Sequence, residues 1–192
     1  MKKIPTLFLR DFDRDPRYVT REPNPACGWV FEGEGIPTRK ADGTCMMFDG
    51  TTWWARREVK PGKTPPPGFV PVDADDTTGK TMGWEPAPAS AFAKFHAEAV
   101  SGQLVTNWPA GTYELVGPKV NGNPERLGRH ELWAHAAAEV LDAPRDYDGL
   151  AAWLATFDGE GIVWHHEDGR MAKLKRRDFR FHGAGTVDGG ES

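Results

Sequence analysis

The residues best suited to carry out a reaction are a lysine followed closely by Asp-Gly, in Lys40-Ala41-Asp42-Gly43. A lysine amine attacks only in its uncharged form, and nearby cations or a bound metal favour that form. Gly43 permits a sharp turn or a close approach of the backbone to a ligand, and Asp42 can orient the amine or a metal ion. Taken alone, this pattern is more typical of a surface turn, so its meaning depends on the rest of the chain.

The stretch after Lys40 predicts a rigid support for it. Asp49-Gly50 separates β-rich runs at 44–48 and 51–59, which predicts a hairpin. The second arm carries Arg56, and the first arm leads directly from Lys40. We therefore expect Lys40 on a loop at the mouth of a strand.

A further strand is predicted at 111–117. Its period of two sets Glu114 on the face opposite Tyr113 and Leu115, where it is either an edge charge or a ligand. The following segment, 131–141, is ambiguous, because its alanines favour a helix whereas a strand starting at Leu132 fits equally well.

A second hairpin is predicted over 160–175, because two apolar runs flank a turn with Asp-Gly. Period two places Glu160 on the same face as Trp164 in the first arm. In the second arm it places Lys173 and Lys175 side by side. A strand with alternating lysines is suited to binding phosphate groups.

These charged groups suit nucleotidyl transfer. A lysine attacks the α-phosphate of a nucleotide, and carboxylates hold a divalent metal that orients the pyrophosphate and neutralises developing charge. Alternating lysines bind the phosphates and raise the positive potential around the nucleophile, which helps the amine to lose its proton.

At this point the chain resembles the covalent nucleotidyltransferases, which comprise ATP-dependent DNA ligases, RNA ligases and mRNA capping enzymes. Lys40-Ala41-Asp42-Gly43 resembles motif I, which implies that Lys40 is the catalytic, adenylated lysine. Arg56 lies where the family has an arginine that contacts ATP. Tyr113-Glu114-Leu115-Val116-Gly117 resembles motif III, which implies that Glu114 lies near the ribose or the metal.

The last two motifs of this family follow in the same order. Glu160-Gly161-Ile162-Val163 resembles motif IV, which implies that Glu160 is the carboxylate beside the metal. Lys173-Leu174-Lys175 resembles motif V, which implies that both lysines bind the phosphates of ATP. The motifs are short, but their order over residues 29 to 180 makes the signal specific.

Within this family, the strings D-G-T-C, W-A-R, G-P-K-V-N-G-N-P and E-G-I-V-W-H resemble compact, stand-alone RNA ligases. The resemblance implies an α+β, ATP-grasp-like nucleotidyltransferase fold, the ligase adenylation fold, with mostly antiparallel sheets and flanking helices. We expect one such domain over 1–182 and a flexible tail over 183–192.

Only 176–192 follow motif V, too few residues for the OB-fold of DNA ligases and capping enzymes. RNA ligases often carry glutamate before the nucleophile, where it helps to bind adenine, whereas this chain has Arg39.

The implied activity is ATP-dependent sealing of RNA ends, with Mg²⁺ or Mn²⁺. A lysyl-AMP forms, the AMP moves to a 5′-phosphate to give an RNA-adenylate, and a 3′-hydroxyl attacks that end. Such a reaction belongs to RNA repair. The alternatives are an inactive nucleotide-binding or RNA-binding module, a DNA ligase or capping-type enzyme that needs a partner domain, and an AMP transferase acting on proteins.

The length, net charge and cysteine content of the chain restrict the kind of protein that it can be. The 192 residues suffice for one sizeable core, and a net charge of −4 restricts any RNA surface to local basic patches. No apolar run reaches the ~20 residues of a membrane span. Cys27 and Cys45 fit free thiols in a reducing cytoplasm better than a disulfide, and no zinc site is predicted. We expect a cytoplasmic monomer that binds ATP and RNA ends and does not bind membranes.

The remaining elements are predicted from local patterns. The apolar run 28–31 is typical of a strand, and 60–89 of a long loop containing at most a short strand at 69–72. Helices are predicted from about 91 to 100, where Ser90 can cap the first turn, and from about 147 to 157.

Overall fold

The computed structural model describes residues 3–76 and 78–181, so the tail predicted at 183–192 lies outside the described residues. In that part of the chain, eleven strands alternate with three short α-helices. In chain order they are β1 (Phe8–Asp11), β2 (Asp15–Pro23), α1 (Gly28–Phe31), β3 (Ile36–Lys40), β4 (Thr44–Phe48), β5 (Trp53–Val59), β6 (Val70–Asp75), β7 (Lys80–Pro86), α2 (Ala93–Val100), β8 (Gly111–Val116), β9 (Glu131–Ala134), α3 (Tyr147–Thr156), β10 (Gly161–His165) and β11 (Met171–Lys175).

The strands form three sheets in which neighbouring strands run antiparallel. A six-stranded sheet has the order β6-β7-β5-β4-β8-β9, a three-stranded sheet has the order β11-β10-β3, and β1 pairs with β2. These sheets with few helices confirm the α+β class and its mostly antiparallel pairing. The chain passes from the three-stranded sheet to the six-stranded sheet between β3 and β4, in only three residues, 41–43.

Two hydrophobic clusters support these sheets. One cluster packs β10 and β11 against α3 and the N-terminal strands, with Trp164, Leu150 and Leu154 fully buried. The other cluster lies between the six-stranded sheet and α2, where Trp53 contacts the rings of Phe48 and Tyr113. Because each cluster fixes one sheet, together they hold both sides of the β3–β4 crossing.

Both predicted hairpins are confirmed, as β4–β5 and as β10–β11. The predicted helix at about 147–157 is confirmed as α3. It begins where the Asp146 carboxylate accepts a hydrogen bond from the Gly149 amide at 2.9 Å, which satisfies an otherwise unpaired donor of the first turn. The helix predicted after Ser90 is confirmed as the shorter α2, but its N-cap residue is Phe92 rather than Ser90.

Other local predictions were wrong. The run 28–31 forms a helical turn rather than a strand, because the Glu32 amide bonds back to the Gly28 carbonyl. The predicted loop 60–89 contains the β6–β7 hairpin, since β7 pairs with β5 along its length. The ambiguous segment 131–141 begins as strand β9 and continues as a single 3₁₀ turn.

Lys40 is the last residue of β3 rather than a loop residue, and β3 does not share a sheet with β4. Strand β3 lies at the edge of its sheet, and 139–141 runs along its open side. The Arg39 amide donates to the Glu139 carbonyl at 2.8 Å, and the Leu141 amide donates to the Pro37 carbonyl at 2.9 Å. The strand that carries the lysine is therefore paired on both sides.

Both cysteines are buried and free. Burial raises the pKa of the Cys27 thiol to about 11 and that of Cys45 to about 12, where Glu114 adds to the effect. None of the helices in the described ranges has the length and apolarity to span a bilayer. The monomeric state and the cytoplasmic location stay predictions.

Candidate active site

Lys40 lies opposite Gly161, where β3 ends and β10 begins. Its amine donates to the Glu160 carboxylate, with 2.5 Å between Nζ and Oε2, and to the Ala41 carbonyl at 3.3 Å. The side chain of Lys40 is about four-fifths buried and that of Glu160 is almost wholly so. The candidate nucleophile is therefore held in a fixed ion pair rather than free in solvent.

Glu160 does not lie on the face that its period-two pattern predicted. Ile162 and Trp164 point into the core, and a glutamate continuing that alternation would be buried among apolar side chains. Strand β10 begins at Gly161, so Glu160 is outside the alternation, and its carboxylate turns to the amines of Lys40 and Lys175. Burial acts to raise the pKa of Glu160, but the two lysines outweigh it and the pKa is lowered.

Glu114 lies on β8 with its carboxylate directed at the turn that follows Lys40. One oxygen accepts from the Gly43 amide at 3.2 Å, and the other lies 2.9 Å from His135 Nε2. His135 also contacts the Thr112 hydroxyl at 2.9 Å through Nδ1. Glu114 is thus a buried, hydrogen-bonded carboxylate rather than an exposed edge charge, and its role as a ligand stays a prediction.

Lys173 and Lys175 share one face of β11, as predicted, but their surroundings differ. Lys175 binds Glu160, whereas Lys173 forms no ion pair with any described residue. Burial lowers the pKa of Lys173 to about 8, and the positive charges of Lys175, Lys40 and Arg56 add to this. The Arg56 Nε is sealed from solvent and also lacks a hydrogen-bond partner in the described chain. Two cations without anionic partners in one place are the electrostatic requirement for an anion site.

A cleft of about 1200 Å³ joins these groups. Five of the six predicted site residues line it, namely Lys40, Arg56, Glu114, Lys173 and Lys175. The sixth, Glu160, lines an adjoining cavity of about 390 Å³, which Lys40 and Lys175 also line. The fold therefore brings together residues that are up to 135 positions apart in the sequence, from Lys40 to Lys175.

The donors at the site are compatible with magnesium bound together with nucleotide phosphates. Within residues 3–76 and 78–181, no three histidine, cysteine, aspartate or glutamate side chains cluster as a metal site. Mg²⁺ that arrives with phosphates usually takes only one or two protein carboxylates and completes its shell with water and substrate. Glu160 offers such a carboxylate beside Lys40, where its two oxygens bind the amines of Lys40 and Lys175, and both oxygens of Glu114 have protein partners as well.

Several residues of the site did not emerge from sequence patterns. His135 lay in the ambiguous segment 131–141, and its spacing carries no signal for a contact with Glu114. Glu125 lies in a loop, yet its carboxylate pairs with Arg39 at 3.3 Å. His165 lines the cleft, with 3.1 Å between Nε2 and the Thr38 hydroxyl. Burial and the nearby charge of His135 lower its pKa, which favours the neutral ring.

Comparison with known proteins is consistent with this arrangement. A family model described as RNA ligase 1 matches residues 96–183, a range that contains Glu114, Glu160, Lys173 and Lys175 and begins after Lys40. The chain is 32% identical to RNA ligase 1 of Danio rerio over 131 residues and 39% identical to that of Rattus norvegicus over 133 residues. Each match covers 57% of this chain and 39% of the relative.

RNA ligase 1 of Pongo abelii is 32% identical over 133 residues. The matched region spans about two-fifths of the length of these curated relatives. These similarities support an RNA ligase-type domain and confirm the resemblance to RNA ligases that the sequence motifs indicated.

Proposed function

We propose that this chain, which is similar over 57% of its length to RNA ligase 1 proteins, is an ATP-dependent RNA ligase with a ligase adenylation fold. Lys40 is its nucleophile, and ATP and RNA ends are its substrates. The observation that carries the proposal is the position of Lys40, which lines a large cleft and is paired to a buried carboxylate. The match covers 39% of the length of those relatives. The proposal therefore includes the joining of RNA ends as well as the first chemical step.

In the first step, Lys40 Nζ attacks the α-phosphorus of ATP, the bond to the β-phosphate oxygen breaks, and pyrophosphate leaves. The amine must lose a proton before it attacks, and the Glu160 oxygen at 2.5 Å is the nearest acceptor. Arg56 and Lys173 stabilise the charge that develops on the phosphate oxygens, because neither forms an ion pair with a described residue and the Arg56 Nε has no hydrogen-bond partner among them.

Magnesium bound beside Glu160 would supply charge neutralisation at the phosphates. In the later steps, the AMP moves from Lys40 to a 5′-phosphate on RNA, and a 3′-hydroxyl displaces it. The cations of the cleft then bind the RNA phosphate in place of the departed pyrophosphate. One set of positive charges thus serves successive phosphate groups.

The proposal is tested by incubation with Mg²⁺ and ATP labelled on the α-phosphate, followed by intact mass measurement. We expect one acid-labile AMP adduct on the wild type and none on Lys40→Ala. Lys60→Ala is the matched control, since Lys60 is exposed and outside the cleft, and it should label like the wild type. An adduct on Lys40→Ala would refute the assignment of the nucleophile.

Two further experiments distinguish the proposed ligase from the alternative functions. A GTP adduct without an ATP adduct would indicate capping-type chemistry, whereas binding without any adduct would indicate a nucleotide-binding module. A 5′-phosphorylated RNA with a 3′-hydroxyl partner strand should then convert the lysyl-AMP into sealed RNA. Transfer to DNA ends alone would overturn the choice of RNA as substrate.

A further inference from the structure

The loop at 118–127, between β8 and β9, has an unusual backbone. Within the described ranges, the four non-glycine residues with positive φ all lie in it, at Lys119 (68°), Asn121 (47°), Asn123 (58°) and Arg126 (56°). Residues other than glycine adopt a positive φ at a cost in free energy, and this conformation persists only where surrounding contacts impose it. The clustering indicates that this loop is held in one particular shape.

Internal contacts hold that shape. The Asn123 side chain accepts from the Leu127 amide at 2.9 Å and donates to the Leu127 carbonyl at 3.0 Å. Val120 is fully buried, and its amide donates to the Gly117 carbonyl at 3.1 Å. None of these contacts involves the turn that follows Lys40.

Two of its side chains bind the turn that follows Lys40. The Asn121 amide nitrogen donates to Asp42 Oδ1 at 2.9 Å and to the Gly43 carbonyl at 2.7 Å. Glu125 accepts from the Asp42 backbone amide at 3.1 Å through one oxygen, and its other oxygen pairs with Arg39 at 3.3 Å. These bonds fix the turn 42–43 after the nucleophile and the side chain of Arg39 before it.

We infer that Asn121 and Glu125 are positioning residues for Lys40, an inference that rests on the proposed function. They touch the backbone and side chains next to the lysine, while the reacting amine contacts Glu160. A loop that binds the Arg39 side chain on one side of a nucleophile and the turn 42–43 on the other limits the directions in which its amine can point. A small shift of this turn would move Nζ away from the line of attack on the phosphorus.

The test measures the single-turnover rate of AMP transfer to the protein. Asn121→Gly removes both amide bonds but keeps the positive φ unstrained, and Glu125→Ala removes both carboxylate bonds. We expect each variant to be about 10- to 100-fold slower than the wild type, as for a misplaced reacting group. The KM for ATP should change by less than about twofold in Asn121→Gly, because this change leaves the ion pairs of the cleft cations intact.

A conservative variant and a physical readout separate positioning from general stability. Glu125→Gln keeps an oxygen that accepts from the Asp42 amide, so it should recover most of the rate. Hydrogen exchange at the Asp42 amide should be slow in the wild type and in Glu125→Gln, and fast in Glu125→Ala. Asn107→Gly and Glu167→Gln, at exposed positions away from the cleft, are matched controls.

A wild-type rate in both Asn121→Gly and Glu125→Ala would overturn the inference. Loss of rate in step with the folded fraction, without recovery in Glu125→Gln, would overturn it as well, because it indicates a purely structural role. A wild-type protein that forms no adduct would instead overturn the proposed function itself. The two failures are therefore distinguishable in one series of measurements.

Discussion

Replacing Lys173 with methionine should change the number of protons taken up when ATP binds. The pKa of this amine is about 8 instead of 10.5, first because of burial and then because of Lys175, Lys40 and Arg56. A lowering of the pKa by this amount means that the site disfavours the charged amine by roughly 3 kcal/mol. A bound triphosphate would supply the missing negative charge, so binding should raise the pKa of Lys173 and draw a proton from solution.

The size of the effect follows from the fraction of neutral amine before binding. With a pKa of about 8, about half of the Lys173 amines are neutral at pH 8 and about one-tenth are neutral at pH 7. ATP binding should therefore take up about 0.5 proton at pH 8 and about 0.1 at pH 7. Because the protonated protein binds the nucleotide more tightly, ATP affinity should fall as the pH rises through 8.

Calorimetry in two buffers of different ionisation enthalpy measures this uptake. An ATP analogue with an unreactive α–β linkage keeps the chemical step from contributing, and Lys173→Met should abolish the uptake. Lys60→Met, at an exposed position outside the cleft, should retain it. Equal uptake by Lys173→Met and the wild type at pH 8 would refute the placement of Lys173 at the phosphates.

Three further outcomes are expected. Glu160→Gln removes the charge between two lysines, so adenylation should fall at least about tenfold while ATP binding persists, as measured by labelling and calorimetry. Gly43→Ala would set a Cβ 2.2 Å from a backbone carbonyl oxygen, so thermal denaturation should show a loss of about 1–3 kcal/mol. Cys27 and Cys45, with pKa values raised by burial to about 11 and 12, should resist alkylation at pH 8 until the protein is unfolded, as intact mass would report.

The sequence predicted well those parts of the fold whose signals are local. The turn Asp49-Gly50 and the cap at Asp146 act within a few residues, so a hairpin and a helix could be located from them. The strand face of Glu114 also followed from period two, because β8 pairs with β4 and β9 without a bulge. Family motifs then indicated which charged residues meet, and the cleft does bring them together.

Features that depend on distant partners could not be predicted in this way. The segment 80–86 contains Gly83 and gives a weak strand signal, yet it pairs with β5 through tertiary contacts. Glu160 faces the lysines because its strand begins one residue later than the pattern suggested. His135 meets Glu114 only because β9 pairs with β8 and then turns, and no local spacing encodes that meeting.

The segment 139–141 along the open side of β3 has a consequence for association between copies of the protein. An exposed edge strand offers unpaired amides and carbonyls to any other extended chain and is a common starting point for aggregation. Here the Arg39 amide and the Pro37 carbonyl are already bonded within the same chain, and Pro37 itself has no amide to donate. Addition of a foreign strand is thus blocked along the strand that carries Lys40, so this edge of the three-stranded sheet does not offer a site for edge-to-edge association.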